Sequence, residues 1–427
     1  MKYFMMVLLM SASALFAATT GARDTTQEKF FEGEGIIDSP FLLKTKEDLL
    51  KFGELLSDSL MNIKYGSKTY KLLSDIEMDS TVVWHVREFS GWFDGGNHVI
   101  RGLYAKGTTT GFFSKLNHAL VENLGIADSR IQGEYEAGAI AGRIEDSNIN
   151  NCWNSNTSVY APLYAGGVVG IAETCLNDAK SPIHINKVYN TGTVTGLKYV
   201  GGLVGLMTSC NTSAVGKIYL SNGYNRGRVE STGYYRDNSA QLAGITSTTR
   251  YSEIQNVYNA GPVIYEGPNK VSRTYSVGFN KNASRSSSYC GYYNIWNLMA
   301  SADDDGLTNE EMRSREFVKT MGEAFAYDSL NVNDGYPVLS SKDVRWQEVR
   351  IDIVRSRPAP ALPQVSVLPQ TIVVDGLKNG QRLELVNLNG KKVWEGRAVG
   401  NAQQIHVANS GIYLLRTGNT MIKVFVK

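Results

Sequence analysis

Four cysteines, ten prolines and five histidines among 427 residues leave little room for several kinds of chemistry. Cys152, Cys175, Cys210 and Cys290 stand far apart, without the short C-x-x-C pairs of a zinc or redox site. His85, His98, His118, His184 and His406 are scattered, and no His-Glu-x-x-His pattern marks a zinc protease. An excess of one charge is also lacking: 43 Lys+Arg against 41 Asp+Glu leaves +2, too balanced to point to nucleic acid or an anionic membrane. Long apolar runs are absent too. The run from Tyr3 to Leu9 falls short of the ~20 residues that cross a bilayer, and no later stretch approaches that length. With Lys2 before it and the small residues Ala14 to Ala18 after it, this run reads as a signal peptide over residues 1–17. The mature chain is therefore expected to be secreted or at the outer cell surface, with no integral membrane segment.

Glycine is plentiful, at 42 residues, against an average of ~7%. Much of it falls in an internal repeat. Tyr-Asn-x-Gly-x-Val occurs at Tyr189 to Val194, Tyr224 to Val229 and Tyr258 to Val263, spaced by 35 and 34 residues. A degenerate copy starts at Trp153-Asn154, 36 residues before Tyr189. A second element alternates with it: Ala137 to Gly142, Gly166 to Gly170, Gly201 to Gly205 and the weaker Leu242 to Ile245. These apolar runs are too short for helices, and bounding glycines with β-branched residues favour buried strands. A repeat of this length made of strands and turns predicts a solenoid in which each unit buries its apolar face against its neighbours. The fold class expected is all-β: a right-handed parallel β-solenoid, or β-helix, since crossover chirality favours that hand. Glycines are expected at corners where φ > 0 is needed, and Asn154, Asn190, Asn225 and Asn259 are placed to form a side-chain ladder.

The Gly-Gly-Leu-Val-Gly of Gly201 to Gly205 and its relatives resemble the GLUG-motif repeats of bacterial surface proteins. Upstream, Gly33-Glu-Gly35, Asp38 to Leu42, Tyr70 to Ile76 and Phe89 to Gly102 resemble the entry segment of such proteins, and Asn333 to Leu339 resembles their exit. The resemblance spans roughly residues 30 to 340. It implies a β-solenoid and an extracellular location, and it implies no enzymatic activity.

Solenoid ends need covers. Thr45-Lys-Glu-Asp48 is a capping-box-like start followed by Leu49, Phe52, Leu55 and Leu56 at helical spacing, which predicts an N-terminal capping helix. A second helix, Asn309 to Met321, is expected to cover the other end. The solenoid is thus assigned residues 24–345 and a proline-rich linker 346–364. Residues 365–427 alternate apolar positions with the turn pairs Asn379-Gly380, Asn389-Gly390 and Ser410-Gly411, as in a small antiparallel β-sandwich. Leu383 to Val393, Ser410 to Leu415 and Lys423 to Lys427 are similar to C-terminal sorting domains of type IX secretion. That similarity implies outer-membrane secretion machinery as a partner, with a carbohydrate-binding sandwich as the alternative.

No cofactor or metal site is expected. Asp303-Asp-Asp-Gly306 looks like a calcium-loop fragment, but Met312 falls where a bidentate Glu is needed. Glycoside hydrolysis needs two carboxylates across the scissile bond, and the repeat core carries almost no in-phase acids. The functional reading is a non-catalytic binding or adhesion protein whose partner is a polysaccharide or other cell-surface component. The alternatives are a polysaccharide lyase or hydrolase on a β-helix, and a structural spacer. Trp153, Tyr189, Tyr224 and Tyr258 form the candidate ligand-binding ladder if they point outward; mutual stacking of the rings is the competing reading. Cys175 and Cys210 share one phase of the repeat, which predicts a disulfide if one repeat makes one coil.

Overall fold

The computed structural model describes residues 30–175, 182–209, 217–231, 241–249, 252–265, 273–275, 291–297 and 306–341, and in the C-terminal part 364–368, 371–375, 377, 379–387, 392–407, 411–417 and 420–426. The remaining residues, including the expected signal peptide and most of the expected linker, lie outside the described residues.

Between Phe41 and Asn297 the chain winds through three parallel sheets. Each turn contributes one strand to a first sheet, for example Ile183–Asn190. It then adds one or two short strands to a second sheet, such as Thr193–Gly196 and Tyr199–Gly201. Finally it adds a strand such as Val204–Ser209 to a third sheet. Tyr189 pairs with Tyr224, and Tyr224 with Tyr258. One repeat therefore makes one coil, and equivalent residues sit one strand spacing apart, ~4.8 Å. The core between the sheets is a column of aliphatic side chains, including Ile149, Ile185, Val188, Val200 and Leu203, all fully buried.

The Asn-Gly and Gly-Gly motifs explain each other. Asn154, Asn190, Asn225 and Asn259 are buried, and each amide nitrogen of the first three donates to the next amide oxygen at 2.8 Å. A Cβ on Gly167 would lie 2.1 Å from the Gly202 carbonyl and 2.5 Å from Cγ of Asn190, and one on Gly202 2.0 Å from the Gly244 carbonyl and 2.5 Å from Cγ of Asn225. The expectation that the repeat glycines supply positive φ is corrected here. They supply space between backbones. Left-handed conformations at the corners fall to Gly102 in the first coils and then to His118, Asp128, Asp146 and Asn156. Asn156 also explains the longer first spacing, because Asn154 pairs with Asn190 whereas Ser158 already pairs with Thr193.

The N-terminal end is closed as the pattern predicts. Helix α1 (Lys46–Ser57) carries a Thr45/Asp48 capping box and buries Leu49, Phe52, Leu55 and Leu56. Phe52 enters the end of the core, with ring centroids 4.8 Å from Tyr70 and 5.6 Å from Phe93. A short helix α2 (Ser59–Tyr65) follows.

The second expected cap is corrected in form and place. Two helices form, α3 (Asn309–Met312) and α4 (Arg315–Met321), because the Ser314 side chain accepts from the amide of Phe317 and starts a new helix. With residues 322–341 they pack against the side of the solenoid, not across its end. Met312, Phe317, Met321, Phe325 and Tyr336 form one cluster with Tyr224 and Tyr258.

The C-terminal residues form two antiparallel sheets. Gln364–Leu368, Thr371–Asp375 and Ala402–His406 make one; Arg382–Asn387, Lys392–Arg397, Gly411–Thr417 and Thr420–Val426 make the other. They share a core of their own that includes Ile372, Leu385, Ile405 and Leu415.

Candidate functional site

The outer face of the first sheet carries the aromatic ladder. Trp153 stacks on Tyr189 at 5.9 Å, Tyr189 on Tyr224 at 4.9 Å and Tyr224 on Tyr258 at 5.1 Å, with interplanar angles of 10°, 3° and 7°. The sequence therefore located a real row. Its geometry removes the sugar platform nonetheless, for two reasons. Parallel rings stacked along the solenoid axis spend their apolar faces on one another, and the free face of Trp153 is closed by Gly125, where a Cβ would lie 2.5 Å from the indole. The lower rungs are also covered: Tyr224 is 4% exposed and Tyr258 0%. Burial raises the pKa of both phenols far above the usual range and pushes that of Tyr189 up to about 12.

The cover is residues 306–341, here termed the strap. Tyr258 Oη donates to the Pro337 carbonyl and accepts from Asn333 Nδ2 at 3.0 Å. Tyr336 lies between two guanidinium groups, 4.1 Å from Arg226 and 4.6 Å from Arg313, an arrangement favoured by the ring quadrupole. Arg226 also pairs with Asp334. The strap reaches Lys187, whose Nζ donates to the Ser340 carbonyl at 3.3 Å.

Lys187 interrupts a second row that sequence reasoning missed. Asn97, Asn123, Asn151, Lys187, Asn222 and Asn256 all have φ between 51° and 62°. Asparagine tolerates this conformation better than most residues. The signal was present as an Asn or Lys two residues before each Trp or Tyr of the ladder. On the far side of Lys187 from the strap, Asn97 is exposed and Asn123, Asn150, Asn151 and Trp153 are half-exposed.

A third cluster lies where the second and third sheets meet. Arg143 binds Glu136 and Glu173, with Nε to Glu136 Oε2 at 3.0 Å, and Lys115 binds Glu145 at 2.8 Å and Glu88 at 3.5 Å. Glu145 pairs in register with Glu173, an in-phase acid pair that goes no further, because Asn117 and Thr208 hold that position in the flanking coils. Burial raises the Glu173 pKa and Arg143 opposes the rise. Carboxylate oxygens of Glu145 and Glu173 come within 4.8 Å of Cys175 Sγ. Cys175 is disulfide-bonded, so it offers no thiolate for a metal. Thr174 pairs with Ser209, one residue short of the predicted Cys175–Cys210 link. Cys210 lies outside the described residues, as do Asp303 to Asp305 of the calcium-like fragment.

No histidine has a serine or cysteine partner among the described residues. His98 Nδ1 faces Asp75 at 3.1 Å, His118 Nδ1 faces Asn117 at 2.6 Å, and His406 Nδ1 faces Thr371 Oγ1 at 2.9 Å. His184 is buried, stacked on Tyr219 at 5.0 Å, and both its ring nitrogens lack hydrogen bonds. Desolvation lowers its pKa to about 4. No described helix is long and apolar enough to cross a membrane.

No family model matches the chain, and no curated protein matches it. Among solved structures, the fold is similar to a crystal structure described as a putative immunoglobulin A1 protease from Bacteroides ovatus. The two are 19% identical with a TM-score of 0.53, over 73% of this chain and 95% of that one. At that identity the likeness shows a shared fold. The chain is a mostly β protein built on a parallel β-helix.

Proposed function

We propose that this is an exported, non-catalytic repeat protein that presents a rigid solenoid for binding to a polysaccharide or another cell-surface component. The observation that carries the reading is how the outward side chains are used. They run in rows along the axis, amide to amide and ring to ring, and each carboxylate of the third cluster is paired with Lys115 or Arg143. Catalytic sites converge unlike groups on one point and leave one of them poised to react; these rows repeat like groups over several coils. In this reading the coil is right-handed, the N-terminal residues direct export, and the C-terminal sheets form a sandwich that engages outer-membrane secretion machinery.

The hydrolase alternative rests on Glu145 and Glu173, adjacent carboxylates on neighbouring coils. Both are held by cations, Lys115 and Arg143, which favours a structural role. The test is incubation of the full chain with a panel of insoluble plant and bacterial polysaccharides. Retention on the solid without release of soluble sugar is expected. Sugar release that disappears in Glu145→Gln or Glu173→Gln would replace binding by hydrolysis.

A further inference from the structure

The strap divides the outer face of the first sheet into a covered half and a bare half, and the two differ in what their polar groups do. Under and beside the strap, amides are satisfied within the protein: Asn222 Nδ2 donates to Asn186 Oδ1 at 2.8 Å, and Asn333 is held by Tyr258 and Pro337. On the bare half the acidic side chains also have partners. Asp94 pairs with Lys71 at 3.2 Å, Asp75 with His98 at 3.1 Å, and Glu122 accepts from Trp92 Nε1 at 2.9 Å.

The amides of the bare half are not all used. Asn151 Nδ2 donates to Asn97 Oδ1 at 2.8 Å and to Asn123 Oδ1 at 2.9 Å, while Asn150 Oδ1 accepts from Asn186 Nδ2 at 2.9 Å. This network fixes the side chains. It leaves Asn97 Nδ2, Asn150 Nδ2, Asn151 Oδ1 and Trp153 Nε1 without a hydrogen bond among the described residues. Three donors and one acceptor thus sit on a rigid, half-exposed strip with little conformational entropy left to lose.

We infer that this strip, from Asn97 across Asn150 and Asn151 to Trp153, is a binding surface for a neutral, hydroxyl-rich glycan chain. It rests on the proposed binding function and names a place and a ligand class for it. Hydroxyl groups serve as donor and acceptor together and match the mixed open valences. An anionic glycan would need a free cation, and Lys71, the cation paired on this strip, is already engaged with Asp94. Recognition here runs through amides and the indole N–H, not through ring faces, which the stacked ladder has consumed.

The test uses the full chain and two substitutions that keep the oxygen the network needs while removing the open donor: Asn97→Asp and Asn150→Asp, combined. Binding is measured by affinity electrophoresis or calorimetry against a mixed-linkage β-glucan, a mannan and polygalacturonate, with melting temperature as the control for folding. The expected result is binding of a neutral glycan by the native chain, at least tenfold weaker in the double variant at unchanged melting temperature. Native-like affinity in the double variant would overturn this site and leave the binding function standing. Binding of polygalacturonate alone would overturn the ligand class. If none of the three is bound, the inference falls, and retention on the wider polysaccharide panel decides separately whether the binding function falls with it.

Discussion

Asn190 carries more of the solenoid than its size suggests. Its amide nitrogen donates to Asn225 Oδ1 and the Gly192 carbonyl, and its oxygen accepts from Asn154 Nδ2 and the Gly192 amide. All of this is buried, where a lost partner costs about 1–3 kcal/mol per stranded group. Asn190→Ala is therefore expected to destabilise by about 3 kcal/mol or more, read as a lower urea midpoint. Asn154 ends the ladder with an oxygen that already has no partner, so Asn154→Ala should cost less than half as much. Equal costs would mean that the ladder adds nothing beyond its local turns. His184 supplies the pH dependence at this scale. Its folded pKa, about 4, lies below the unfolded value of 6.5, so the folded state prefers the neutral ring. The stability from this site is present above pH 6.5 and is lost as pH falls toward 4, by up to about 3 kcal/mol at 1.36 kcal/mol per unit. His184→Phe keeps the stack on Tyr219 and should flatten that part of the stability profile; an unchanged acid limb would show that other groups dominate it.

At the scale of elements, the strap has the contacts of a permanent structure. Tyr336 is 1% exposed, stacks 6.5 Å from Tyr258 and is gripped by two arginines. Tyr336→Ala removes the ring that both cations face, a loss of about 3 kcal/mol by analogy with large aromatic truncations. Limited proteolysis should then cut within residues 306–341 at least tenfold faster while the coils before Asn259 stay intact. Simultaneous loss of both would mean that strap and solenoid unfold as one unit. Which elements were legible follows from the same contrast. Like residues stack on like residues in a solenoid, so the row of Tyr-Asn repeats could be read as a ladder from spacing alone, and α1 from its cap and apolar face. The strap could not be placed, because Tyr258 and Pro337 meet without any repeated pattern between them. An amphipathic helix announces that it covers something but not what. For the aromatic row the spacing left two readings open, ligand platform or mutual stacking, for that reason: alternation says that a ring points outward, not that another part of the chain lies over it. The bare amide strip went unnoticed because its left-handed residues look like ordinary polar strand positions.

For the whole molecule, one coil per repeat fixes long-range distances from sequence numbers. Thr174 and Ser209 are partners, with Cys175 and Cys210 the next residues on each chain segment. In-register positions on adjacent parallel strands are ~4.8 Å apart, inside the ~4.4 to 6.8 Å that a disulfide allows between Cα atoms. Non-reducing peptide mapping is expected to recover a Cys175–Cys210 peptide, with Cys152, buried and free in the core, alkylated only after denaturation. Such a bond closes a loop of one coil, and for about 35 residues the chain-entropy model gives about 4 kcal/mol. Its effect should stay local. Solenoid stability is close to a sum of coil and neighbour terms, so reduction should loosen the coils on either side of Cys175 and leave hydrogen exchange near α1 unchanged. A Cys175–Cys290 peptide instead would place two residues several coils apart within bonding distance, and the one-coil repeat would not survive that result.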